Sequence, residues 1–309
     1  MRNFIFYLIC LEMLLFAGCG SKEIKVPDFD EQNAMRLLTR LVSFGPRSAG
    51  TAANLRQAEF IAKTARSYGA VTTSHKFKRM TTEGLLRFVN IEAVIPGKRK
   101  DFVIIGSHFD TKKMPEGIKF EGANDGASST AVLLELIKTI KASGIQPEYT
   151  FKFVFFDGEE CFNEYGANDG LFGSKHYAGQ LKEKKLVSQC RAVIILDMVG
   201  DKDLNITLPL DSDKQLCKML FEAADKSGNR KYFDYLPTAL LDDHIPFKEM
   251  GIPVIDIIDF EFGPGNSFWH SSEDNIKNIS AKSLKIIGQS TLNLLFSLNF
   301  AKKRKLMGK

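Results

Sequence analysis

Five short apolar, β-rich runs, VNIEAVI, DFVIIGSH, YTFKFVFFD, RAVIILDMVG and IPVIDIIDF, alternate along this chain with segments of helical period, and that alternation constrains the fold more than any other feature. The helical segments fall at 31–42, 52–68, 127–141, 174–183, 213–226 and 281–299, where apolar residues recur every three to four positions. Strands that take turns with helices predict an α/β fold: one mixed, largely parallel central sheet with helices on both faces. No Pro/Gly-rich linker and no internal repeat divides 31–300, so a single catalytic domain is expected over 30–300. With 309 residues, 44% of them hydrophobic, the chain has enough apolar material for one large core.

The two ends read differently. Arg2 followed by an apolar stretch from Phe4 to Phe16, interrupted only by Glu12, has the make-up of an export signal over 1–18 and is well short of the roughly 20 residues a spanning helix needs. Its ending, Ala17-Gly18-Cys19, resembles the processing site of bacterial lipoproteins. The resemblance implies an exported periplasmic or cell-envelope protein, lipidated at Cys19 and tethered through 19–29; secretion after ordinary signal cleavage is the alternative. The basic tail at 301–309 reads as a solvated terminus. A formal net charge of +5, with both signs interspersed through most of the chain, gives no support to a nucleic-acid partner. Cys161, Cys190 and Cys217 are odd in number and at no metal-binding spacing, so free thiols are expected.

In open α/β sheets, ligands bind beyond the carboxyl ends of the strands. Here FVIIGSH ends in His108 with Asp110 just beyond, FVFF is followed by Asp157, Glu159 and Glu160, and AVIILD ends in Asp197. Three carboxylates crowded at the end of a buried strand raise one another's pKa unless a cation lies nearby. Two further loops supply candidates for its ligands: GANDGASSTA places Asp125 before a helix, and NSFWHSSEDN places His270 after the last strand. Histidine and carboxylates arriving from separate loops are a donor set that suits zinc. Each signal alone has a plainer explanation, since an Asp in a Gly-rich loop is ordinarily a turn or cap residue and a His after Trp269 can simply pack. Their joint occurrence at strand ends carries the argument. Adjacent glutamates point in different directions, so one of Glu159 and Glu160 can coordinate an ion while the other stays free for proton transfer.

The segments GSHFDTK, GANDGASSTAVLLEL, FFDGEE, LDMVG, DDHIPF and WHSSEDN occur in the order found in zinc aminopeptidase-like hydrolases, and they are most similar to the glutaminyl-peptide cyclotransferase branch of that family. The resemblance covers nearly all of the chain after the signal segment. It implies Asp125, Glu160 and His270 as ligands of a single zinc ion, Glu159 as general acid/base, and Asp197 and Asp242 as carboxylates hydrogen-bonded around it. It also implies Trp269 as a wall of the substrate pocket, with Tyr165 near a position where the animal-type enzymes have Trp. Peptide or protein N-termini are the implied substrates, with N-terminal glutamine converted to pyroglutamate and ammonia released.

A di-zinc aminopeptidase is the competing expectation, because His108, Asp125, Glu160, Asp197 and His270 would complete its ligand set, with His108 and Asp197 at a second ion. Gly126 tilts the comparison, since aminopeptidases commonly carry a second Asp there. Asp256 stands where animal-type cyclases tend to have His. His244, beside Asp242 and Asp243, is expected to bind substrate or hydrogen-bond at the rim, and Phe262 and Phe268 are candidates for the pocket lining. His75 and His176 read as surface or packing residues.

Overall fold

The computed structural model describes residues 25–166 and 168–300, so the predicted signal segment, Cys19 and the basic tail lie outside the described residues. At its centre is a six-stranded sheet, whose strands are numbered here in chain order. They are β1 (Val71–Thr81), β2 (Gly84–Ile95), β3 (Phe102–His108), β4 (Thr150–Phe156), β5 (Cys190–Asp197) and β8 (Val254–Ile258), lying side by side as β1-β2-β4-β3-β5-β8. The last four of these neighbours run parallel, while β1 and β2 form an antiparallel hairpin that pairs antiparallel with β4. This is the mixed, largely parallel sheet that the sequence pattern specifies. A separate parallel ribbon joins β6 (Ile206–Leu208) to β7 (Phe233–Tyr235).

The parallel strands are continuous apolar runs because both of their faces are covered. Val103, Ile105 and Phe153 point into a core shared with α1 (Glu31–Val42), α2 (Ala52–Ser67), α3 (Ala127–Ala142), α5 (Lys214–Asp225) and α7 (Ala281–Phe300). Their sequence neighbours Phe102, Ile104 and Val154 point the opposite way, toward α4 (Phe172–Glu183) and the short α6 (Ile245–Lys248). In α1 the buried residues Ala34, Leu37, Leu38 and Leu41 keep helical spacing, and the N-cap Asp30 accepts a hydrogen bond from the Asn33 amide. By contrast α3 is buried on nearly every side, which explains its apolar composition all round. All six predicted helices are present, with ends within two residues of expectation.

Because β3, β4 and β5 are parallel, their carboxyl ends at His108, Phe156 and Asp197 share one edge of the sheet. No described helix is long and apolar enough to cross a membrane.

Candidate active site

A cavity of about 210 Å³ opens at that edge, with Asp125, Glu159, Glu160, Asp197, Asp242 and His270 at its polar side. Tyr165, Leu240, Leu241, Phe260 and Trp269 are among its other walls. Two groups of donors meet here and share Asp125. In the first, His270 Nε2 lies 3.2 Å from Asp125 Oδ2 and 3.1 Å from Glu160 Oε1. In the second, His108 Nε2 lies 3.1 Å from Asp125 Oδ1 and 3.0 Å from Asp197 Oδ1.

The first group fits a zinc ion on the structure's own terms. Its donors are one imidazole nitrogen and two carboxylates, and their spacing is close to the ~3.3 Å that separates ligands of a tetrahedral ion with bonds of about 2.0 Å. Asp125 Oδ2 and Glu160 Oε2 are both buried without a hydrogen-bond partner. Asp125 Oδ2 faces the His270 nitrogen and Glu160 Oε2 has only the Lys112 ammonium near it, at 3.8 Å, an arrangement of buried acids that a cation would satisfy. His270 itself has φ 51°, a left-handed conformation uncommon outside glycine, and Trp269 stacks on its ring at 4.1 Å.

Electrostatics separate the two glutamates. Burial pushes the Glu159 carboxyl well above its usual range, and the neighbouring Glu160, Asp242 and Asp243 charges add to the effect. Burial likewise raises Glu160, to about 7, with Asp125 contributing, although His270 opposes the shift. Asp125 is held well below the ordinary carboxylate range because hydrogen bonds from His108 and His270 outweigh its desolvation. Burial opposes a charge on His270 too, but Asp125 and Glu160 lift its pKa to about 10. Burial raises Asp197 to about 6, against the pull of His108. The Tyr165 hydroxyl donates to Glu159 Oε2 at 3.3 Å, which fixes one oxygen of the residue that neither donor group uses.

Three side chains that sequence reasoning left without a role hold this arrangement in place. Asp110 accepts hydrogen bonds from the backbone amides of Gly158, Glu159 and Glu160, so one carboxylate pins the whole turn that presents the acid pair. Asp274 accepts from the amides of Asn124 and Asp125, tying the loop that carries His270 to the loop that carries Asp125. Arg47, fully buried, donates to the carbonyl oxygens of Phe109, Glu121 and Gly122. Asp157 turns away from the cavity and accepts from Asn54 Nδ2 and the Val89 amide, anchoring the β4 end to α2 and β2.

Two residues expected near the substrate lie elsewhere, His244 in the hydrogen-bonding one of its two expected roles. His244 is completely buried, with Nε2 3.0 Å from Asp211 and Nδ1 3.5 Å from Asp256, so it belongs to an acid network beneath Asp242 and does not reach the cavity wall. Phe268 packs edge-on against Phe262 and borders a neighbouring cavity, while Phe262 is wholly inside the core. His176 stacks on Phe77, and His75 sits against Glu92 and Tyr177, both packing roles as expected. The three cysteines are free and buried.

Residues 90–295 match the family model Peptidase family M28. The chain is 27% identical over 255 residues to a glutaminyl-peptide cyclotransferase of Drosophila melanogaster, an alignment covering 74% of this chain and 71% of that one. The curated relatives are longer, and the chain spans between 53% and 71% of the first three. Among solved structures, the glutaminyl cyclase of an Acidobacteriales bacterium superposes with a TM-score of 0.84 at 33% identity, covering 90% of this chain and 97% of that one. A protein described as a leucine aminopeptidase precursor from Bacteroides thetaiotaomicron superposes with a TM-score of 0.79 at 27% identity, covering 89% and 99%.

Proposed function

The chain belongs to peptidase family M28, and from that premise we propose that it is a zinc-assisted glutaminyl-peptide cyclotransferase acting on the N-termini of peptides and proteins. One observation carries the reading: Asp125, Glu160 and His270 gather at a common centre while Glu159 lies beside it, outside the donor group. Those three residues would hold the ion, which when bound supplies Lewis-acid polarisation of the γ-amide carbonyl.

The chain's own residues supply the rest. Glu159 accepts a proton from the substrate's α-amine as that nitrogen bonds to Cδ, the carbonyl carbon of the γ-amide. It then returns a proton to the departing amide nitrogen, so ammonia leaves and a five-membered lactam remains. A carboxylate with a raised pKa is suited to both transfers near neutrality, and Tyr165 keeps it from rotating away. Trp269 and Tyr165 flank the cavity, where they would hold the glutamine against the acid. The nucleophile belongs to the substrate itself, so ring closure benefits from proximity and needs little activation.

A second reading, a di-zinc aminopeptidase, has one observation in its favour: His108, Asp125 and Asp197 form a further group with donors close enough for an ion. Gly126 weighs against it. At φ +86° its Cβ would come within 2.6 Å of the Asp110 carbonyl oxygen, so the present backbone has no room for the aspartate side chain that aminopeptidases commonly carry there. Product mass spectrometry separates the two. A Gln-initiated peptide should lose ammonia without shortening, whereas liberation of free N-terminal amino acids would establish the peptidase instead. We further propose that 1–18 is a removed signal and that Cys19 carries a lipid anchor, leaving 30–300 as the catalytic unit.

A further inference from the structure

Besides the basic tail at 301–309, one block of the described fold, away from the candidate active site, is strongly basic. Residues 52–95, comprising α2 and the β1-β2 hairpin, contain seven basic residues and three acidic ones. Their net +4 is close to the +5 of the entire chain. On one face of the hairpin the register pairs Lys78 with Arg87 and, nearer the tip, Met80 with Leu85. All four are exposed, the two apolar ones by 67% and 59%. The opposite face is packed instead, through Phe77, Phe88 and Phe172.

The basic face continues into a groove of about 560 Å³ between the hairpin and α2, with Val89 and Ile91 among its apolar residues and Lys63, Arg66 and Lys76 beside them. Glu59 is, among the described residues, the one acidic residue that borders it. Among the described residues, none of Lys63, Lys76, Lys78 and Arg87 has a carboxylate within ion-pair distance. Unpaired cations around a cleft attract an anionic partner, and exposed apolar side chains at the end of a hairpin suit a partner with an apolar interior.

We infer that this face docks on an anionic phospholipid bilayer, with Lys63, Lys76, Lys78 and Arg87 against the headgroups and Met80 and Leu85 entering the interface. The point where the chain enters the fold agrees with that placement. Asn33, in the first turn of α1, reaches the Tyr68 hydroxyl at the end of α2 at 3.5 Å, so the fold begins, about ten residues past Cys19, beside the layer that carries the groove. Ten residues span at most about 35 Å, short enough to hold that layer near a membrane if Cys19 is lipidated. The charge argument holds without the anchor and without the proposed cyclase activity.

The test uses the full chain carrying Cys19→Ser, which removes the lipid attachment point. It is floated with vesicles of phosphatidylcholine alone and with vesicles that also contain phosphatidylglycerol. Binding should be stronger to the anionic vesicles by more than about tenfold at low salt and should weaken as salt screens it. Lys76→Glu, Lys78→Glu and Arg87→Glu together should abolish the difference while leaving the melting temperature and the turnover of a short soluble peptide unchanged; the corresponding Gln variants serve as a second set should the reversals disturb folding. Met80→Ser with Leu85→Ser should lower the binding that survives high salt. Equal binding to both vesicle types, or a preference untouched by these variants, overturns the inference. Binding to heparin or to an acidic peptide with none to anionic vesicles overturns it equally.

Discussion

Glu159 and Glu160 are sequence neighbours with different surroundings, and the difference decides what each can do. Glu160 faces His270 and Asp125, whereas Glu159 meets the Tyr165 hydroxyl. Glu159→Gln should therefore retain zinc, measured by metal analysis, while kcat falls by about 10²–10⁴-fold. Asp274→Ala should act differently, because it frees the amides that seat Asp125: zinc affinity should fall about 10–100-fold while kcat at saturating zinc changes little, a split that titration with a metal buffer measures. The donor set was legible in the sequence because each member ends a strand or follows a recognisable turn. Asp274 was not, and Asp110 was placed at the strand end without its role, since a carboxylate that accepts backbone amides leaves no pattern in residue type. His244 misled for a related reason: its neighbours Asp242 and Asp243 suggest the rim, but the chain turns into α6 at that point and buries the ring.

At the scale of elements, strongly periodic or continuously apolar segments were recovered and short or polar ones were not. The hairpin shows why. Only VNIEAVI of β2 has the apolar density of a buried strand, and β1 exposes most of its residues, so nothing in the pattern announces eleven residues of antiparallel pairing. The ribbon of β6 and β7 has three residues in each strand, too few for any period to register. The start of α3 joins element to site, since its N-cap Gly126 has positive φ and sits against the Asp110 carbonyl and the His108 ring. Gly126→Ala should destabilise the protein by at least about 1–2 kcal/mol in urea unfolding, and it should also reduce activity, because the helix cannot retreat without moving Asp125.

For the molecule as a whole, buried acids away from the donor groups link folding to pH. Burial raises Asp259 from 3.8 to about 7, even though it accepts from the amides of Asn205 and Glu261. A carboxyl with a raised native pKa favours the folded state at low pH, and that contribution is lost as pH climbs from about 4 to about 7. Asp259→Asn should flatten the fall of unfolding free energy across this window, read from urea titrations at a series of pH values. The stacking of Trp269 on His270 has a further use. It is the chain's only tryptophan, so fluorescence excited at the red edge, where the seven tyrosines do not absorb, comes from a single indole in contact with one of the three candidate zinc ligands. Chelation and reloading should register directly in that emission, giving a label-free optical titration of site occupancy from a reporter seated at the candidate pocket itself.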